Sequence, residues 1–156
     1  MTLLQVHVAL SLIGIATGLV AVVAMTRGTY PRGWTAAFLA TTVLTSVTGF
    51  PLPPFGFDPP RIVGCISLVA LALALTALYV FRLAGAWRSV YVVTATIALY
   101  FNCFVAVAQT FMKIEFFQAL APTQQEPPFA IAQLVVLALF VAFGWLGVRR
   151  FRPSLA

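Results

Sequence analysis

Residues 62–112 read IVGCISLVALALALTALYVFRLAGAWRSVYVVTATIALYFNCFVAVAQTFM. Two apolar runs, 62–81 and 90–112, flank the short basic loop Arg82-Leu83-Ala84-Gly85-Ala86-Trp87-Arg88. A transmembrane helix needs about 20 mainly apolar residues, and each run supplies that length. The pattern continues in both directions. A third run, 129–148, follows the polar stretch 113–128. Two earlier runs, 6–25 and 35–50, are separated by Arg27-Gly28-Thr29-Tyr30-Pro31-Arg32-Gly33-Trp34. Between 50 and 62 lie five prolines in eleven residues, which exclude a regular helix through that segment. The reading is an all-α, polytopic transmembrane bundle of about five helices, with residues 1–156 forming a single domain.

Composition agrees. The chain is 62% hydrophobic and only 8% charged, whereas a soluble domain carries about a quarter of its residues as charges. The net charge of +6 does not indicate nucleic acid, because the basic residues form no patch or stripe. They stand between the apolar runs, where membrane topology places them. The first run is read as a helix of the mature protein. No basic residue precedes it, and it is longer than the apolar core of a signal peptide.

Charge sets the orientation. Arg27, Arg32, Arg82, Arg88, Arg149, Arg150 and Arg152 alternate onto one side and are the topology anchors. Arg61 and Lys113 share the other side with Asp58, Glu115 and Glu126. The excess of positive charge assigns the first side to the cytoplasm, so the N-terminus is expected in the periplasm and the C-terminus in the cytoplasm. Trp34, Trp87 and Trp145 fall near the basic side, as interfacial anchors do. The bilayer is the expected partner, with a further protein or a second copy of the chain beside it.

Polar residues inside the runs are the candidates for function. His7, Thr48, Gln109 and Gln133 fall near the outer ends of their helices, Asn102 lies midway along the fourth, and Glu126 sits in the adjoining loop. Polar groups in a membrane seek partners and usually face a bundle interior or a cavity. One expectation is an outward-opening pocket that gathers His7, Gln109, Gln133 and Glu126, with Asn102 and Thr48, under two proline-rich loops. The other is simple hydrogen bonding between helices that fixes their packing. Gly14 and Gly18 allow close helix contact, in preference within the chain. Cys65 and Cys103 read as small buried hydrophobes in preference to a disulfide.

The sequence offers no catalytic residue, no metal site and no cofactor motif. It has no glycine-rich phosphate loop and no H-E-x-x-H or C-x-x-C spacing. Its one histidine, with no carboxylate in any run, leaves a hydrolytic triad incomplete.

The segments Thr45-Ser46-Val47-Thr48-Gly49-Phe50-Pro51, Gly85-Ala86-Trp87-Arg88, Tyr100-Phe101-Asn102-Cys103-Phe104-Val105, Gln109-Thr110-Phe111-Met112-Lys113 and Leu120 to Phe129 resemble a family of small, uncharacterised bacterial membrane proteins. The resemblance covers most of the chain from the second helix onward. It implies a bacterial, proteobacterial-type inner membrane and brings no assigned activity. The expected function is therefore an accessory or structural membrane protein that binds a partner or lipid at its periplasmic face. A small transporter or channel is the alternative, and a redox or quinone-linked protein a more distant one.

Overall fold

Thr2 fixes the start of the first helix. Its hydroxyl accepts the Gln5 backbone N–H at 3.3 Å, and the Gln5 side chain accepts the Thr2 N–H at 2.9 Å. This reciprocal cap satisfies two donors that a helix start leaves unpaired. It also begins α1 (Leu3–Thr26) a little before the apolar run. The computed structural model describes residues 2–52 and 59–153. The remaining elements are α2 (Arg32–Gly49), α3 (Pro59–Leu75) continued by a π-helical turn (Thr76–Val80), α4 (Trp87–Lys113), the short α5 (Glu115–Leu120) and α6 (Pro127–Arg150). Among the described residues there is no strand.

Four helical stretches, Leu3–Thr26, Arg61–Val80, Trp87–Lys113 and Pro127–Arg150, are long and apolar enough to cross a membrane. α2 is not among them, because threonine and serine dilute its apolar content. It nevertheless runs antiparallel to α1 along almost its full length. Gly18 meets Phe38, Gly14 meets Thr41 and Thr42, and Gly49 meets His7. α2 is thus the fifth long helix of the bundle and the least apolar.

Prolines mark two helix starts. Pro59 opens α3 and Pro127 opens α6, positions whose N–H has no helical partner to lose. α3 therefore begins before the apolar run at 62. The expected proline-rich lid over 51–60 falls largely on residues 53–58, Asp58 included, which lie outside the described residues.

The glycine pair of α1 is used inside the chain. A Cβ on Gly18 would stand 2.6 Å from Leu99 and 2.7 Å from Phe38, so only glycine lets α2 and α4 close on α1 there. Below this layer the packing is dense. Val22, Met25, Phe38, Leu39, Leu71, Tyr91, Val92 and Leu99 are all at most 2% exposed. Gly147 brings α6 against Val92 in the same half. Above it the packing loosens. No residue of α1 before Gly14 is buried, and no residue of α4 from Tyr100 to Thr110 is either. Both cysteines are free, and Cys65 is exposed rather than buried. It projects from the side of α3 opposite Ser67, Ala70 and Leu71, which face the core.

Candidate functional site

The three basic segments meet at one end of the bundle. Arg88 donates to the carbonyls of Phe151 at 2.6 Å and Val148 at 3.5 Å. It thereby caps the C-terminus of α6, whose last carbonyls lack helical partners. Phe151 is fully buried beside Tyr30 and Tyr91, at ring distances of 6.3 and 5.8 Å. The backbone of Arg150 passes close to Gly28. Of the expected anchors, Arg27, Arg32, Arg82, Arg149, Arg150 and Arg152 are exposed, and Arg149 lies over the Trp145 ring at 4.0 Å. Arg88 is half-buried and turned inward. The loop before it is strained, with Arg82 at φ 48° and Leu83 at φ 58°. Leu83, 7% exposed, pins that loop to the core, and Phe81 stacks on Trp87 at 3.9 Å.

At the opposite end several polar side chains cross between elements. Arg61 donates from the first turns of α3 to the carbonyls of Phe50 and Leu52, at 3.3 and 2.7 Å. Gln124 donates to Ala108 of α4 at 2.9 Å, and Gln133 of α6 donates to Phe104 of α4 at 3.1 Å. Glu126, at the N-cap of α6, accepts the Thr123 hydroxyl at 2.9 Å and the backbone N–H groups of Thr123 and Gln125. Slight desolvation works to raise its pKa, but these hydrogen bonds outweigh it and hold the carboxyl below its ordinary 4.5.

His7 Nδ1 lies 3.1 Å from the Thr48 hydroxyl, which itself donates to Leu44 at 2.7 Å. The Thr48 hydroxyl thus links the His7 ring of α1 to the backbone of α2. Glycine at 49 makes room for the imidazole, since a Cβ there would stand 3.3 Å from the ring.

The polar residues expected in one pocket are thus distributed. His7 and Thr48 are joined at the α1–α2 contact. Gln133 is tied to α4, and Glu126 to its own loop. Asn102 faces Gly14 and Thr42 in the middle of the bundle. Gln109 is two helical turns further along the same face of α4. Gly14 lies opposite Asn102 and Gly18 opposite Leu99, so this antiparallel register puts Gln109 at the level of His7.

Sequence reading did not single out Thr42 and left Thr45 outside the candidate pocket. Both are buried, and neither hydroxyl has a partner among the described residues. Nothing in the sequence separates them from Thr17, Thr41, Thr94 and Thr110, whose hydroxyls bond to a carbonyl one turn back at 2.7–2.8 Å. Only the tertiary arrangement sets them apart. An apolar groove of about 370 Å³ also runs between α4 and α6, lined by Ile97, Tyr100, Phe140 and Trp145 among others. No group of three or more metal-binding side chains occurs among the described residues.

No protein-family model matches the chain, and neither a curated protein nor a solved structure matches it.

Proposed function

We propose that this chain is an accessory or structural protein of a bacterial inner membrane, of the small family its motifs resemble, and that it binds lipid at its periplasmic face. In this reading the basic end is cytoplasmic and the N-terminus is periplasmic. The observation that carries the proposal is the apolar ridge around α5. Met112, Ile114, Phe116 and Leu120 are 54%, 49%, 68% and 45% exposed. The ridge follows directly on Lys113, the last residue of a helix long and apolar enough to cross a membrane, so in this reading it lies at headgroup level. Phe117 faces the other way and packs on Phe111 at 5.2 Å, tethering α5 to the bundle. A short helix with aromatic and aliphatic groups on its free side suits the interfacial layer.

The structural part of the reading is supported by the polar contacts. Arg61, Arg88, Gln124 and Gln133 are all engaged with backbone carbonyls of other segments. A transport passage would have to cross the dense layer of Gly18, Phe38 and Leu99, which favours the accessory reading over the transporter.

The test is a spin label at position 116, introduced as Phe116→Cys with Cys65 and Cys103 replaced by serine, in lipid nanodiscs. Access to oxygen with protection from a water-soluble nickel complex supports lipid docking. Equal access to both overturns it. Protection from both, seen only in native membranes, replaces lipid with a protein partner.

A further inference from the structure

The apolar groove between α4 and α6 begins at the basic end of the bundle. Val93, Ile97 and Tyr100 form its α4 wall, and Leu137, Trp145 and Val148 its α6 wall. Ile97, Leu137 and Trp145 are 37%, 41% and 54% exposed, so the groove lies open along its length. Gly144 keeps it deep, because the nearest group to a Cβ there would be the Thr96 methyl, at an ordinary 3.8 Å.

Its dimensions select an occupant. From Val148, close to the end of α6, back to Leu137 the helix rises about 16 Å. That is about half of a hydrocarbon core of about 30 Å, so the groove covers one leaflet and stops. A partner helix crossing the membrane would need twice that length. Spread over it, the volume of about 370 Å³ makes a channel about 5 Å across. One hydrocarbon chain, with carbons in contact at about 4 Å, fits that width, whereas a helix with its side chains is about 10 Å across.

Charge marks the mouth. Arg149 lies over the ring of Trp145 at 4.0 Å, and Arg88 donates to the carbonyl of Val148 at 3.5 Å. Both guanidinium groups are thus held by residues that line the groove. The acids among the described residues, Glu115 and Glu126, belong to the opposite end. We propose that the groove holds one acyl chain of an anionic phospholipid, in the leaflet at the basic end, with the headgroup phosphate at Arg149 and Arg88. Guanidinium groups suit phosphate oxygens, and a zwitterionic headgroup would bring a cation of its own to an end that is already positive. The site lies at the other end of the bundle from the α5 ridge, so this proposal and the lipid-docking one stand or fall independently.

Trp145 reports on its own groove. With Trp34→Phe and Trp87→Phe it is the sole tryptophan, and its fluorescence is read in phosphatidylcholine vesicles containing increasing phosphatidylglycerol with brominated acyl chains. The same titration with brominated phosphatidylcholine is the reference. Phosphatidylglycerol should be preferred about fivefold to tenfold. Arg149→Gln should lower that preference about threefold to fivefold, while Lys113→Gln, at the other end, should leave it unchanged. Gly144→Leu and Val93→Phe, which narrow the groove from its two walls, should each abolish the preference; either carries this arm if the other fails to fold. The proposal is overturned if both lipids quench equally, if Arg149→Gln has no more effect than Lys113→Gln, or if the preference survives narrowing, which would leave headgroup attraction without a seated chain. Shielding of Trp145 from both lipids also overturns it, since a protein partner or second copy then covers the groove. Should the single-tryptophan background be unstable, native mass spectrometry of the unmodified chain decides: one phosphatidylglycerol retained per chain from an equal mixture supports the site, and equal retention of both lipids overturns it.

Discussion

At Gly18 side chains from both α2 and α4 crowd against α1, and they are bulky. Leu99 and Phe38 already stand where a methyl would go. Gly18→Ala should destabilise the bundle by about 1–3 kcal/mol through overpacking, read as an earlier transition in detergent-denaturation curves. Gly33→Ala, with open space at its Cβ, should leave the transition where it is. Glu126 gives a residue-scale pH effect. Its carboxyl is held below 4.5 by the hydrogen bonds of its loop. A group with a depressed folded pKa stabilises at pH above its unfolded value, and that contribution is lost as pH falls through the folded value. The Thr123 and Gln125 amides should therefore exchange faster as pH drops below 4.5 than base-catalysed chemistry alone predicts. Glu126→Gln should flatten that dependence. At this scale the sequence is half legible. Gly18 stands out because a glycine spacing in a membrane helix has a known use. Thr42 does not, because a threonine that back-bonds and one that cannot are the same letter.

The elements divide similarly. Five long apolar or near-apolar runs announce α1, α2, α3, α4 and α6, since lipid leaves the backbone few alternatives to helix. α5 is hidden, because Glu115-Phe116-Phe117-Gln118-Ala119-Leu120 is too short to show a period and sits among loop residues. The π-helical turn at Thr76–Val80 is hidden too; no residue there departs from ordinary helix formers. The cap on α6 could not be read at all, because Arg88 reaches a carbonyl 63 positions away. Its charge had one obvious use, at the headgroups, and the fold gives it another. Arg88→Leu should loosen the end of α6 by about 1.5–3 kcal/mol, the worth of hydrogen bonds to a charged group. Faster hydrogen exchange at Phe151 would report it, while Thr2 and Gln5, at the other end, should be unaffected. Arg88→Lys should fall between the two, since a point charge replaces a planar fork.

For the whole molecule, charge and geometry can be checked against each other. Arg27, Arg88 and Arg150 lie on segments that meet at one end of the bundle, through Gly28 against Arg150 and Arg88 against Phe151. The sequence bias therefore describes one physical surface. Which compartment that surface faces is tested by reporter fusions after Gly28, Gly85 and Gln124. The first two should report cytoplasm and the third periplasm; a cytoplasmic signal at Gln124 would reverse the proposed orientation. The unequal packing of the two halves has a mechanical consequence. The half around Phe38, Tyr91 and Leu99 is close-packed, whereas α4 from Tyr100 to Thr110 has no buried residue. A change in bilayer thickness strains all the helices together, but only the loose half can yield. Spin labels across α1 and α4 near Ser11 and Val107 should change separation between thin and thick bilayers, while a pair near Ala21 and Ala95 should hold theirs. The bundle would then behave as a clamp fixed at its basic end, with the membrane itself setting how far the other end spreads.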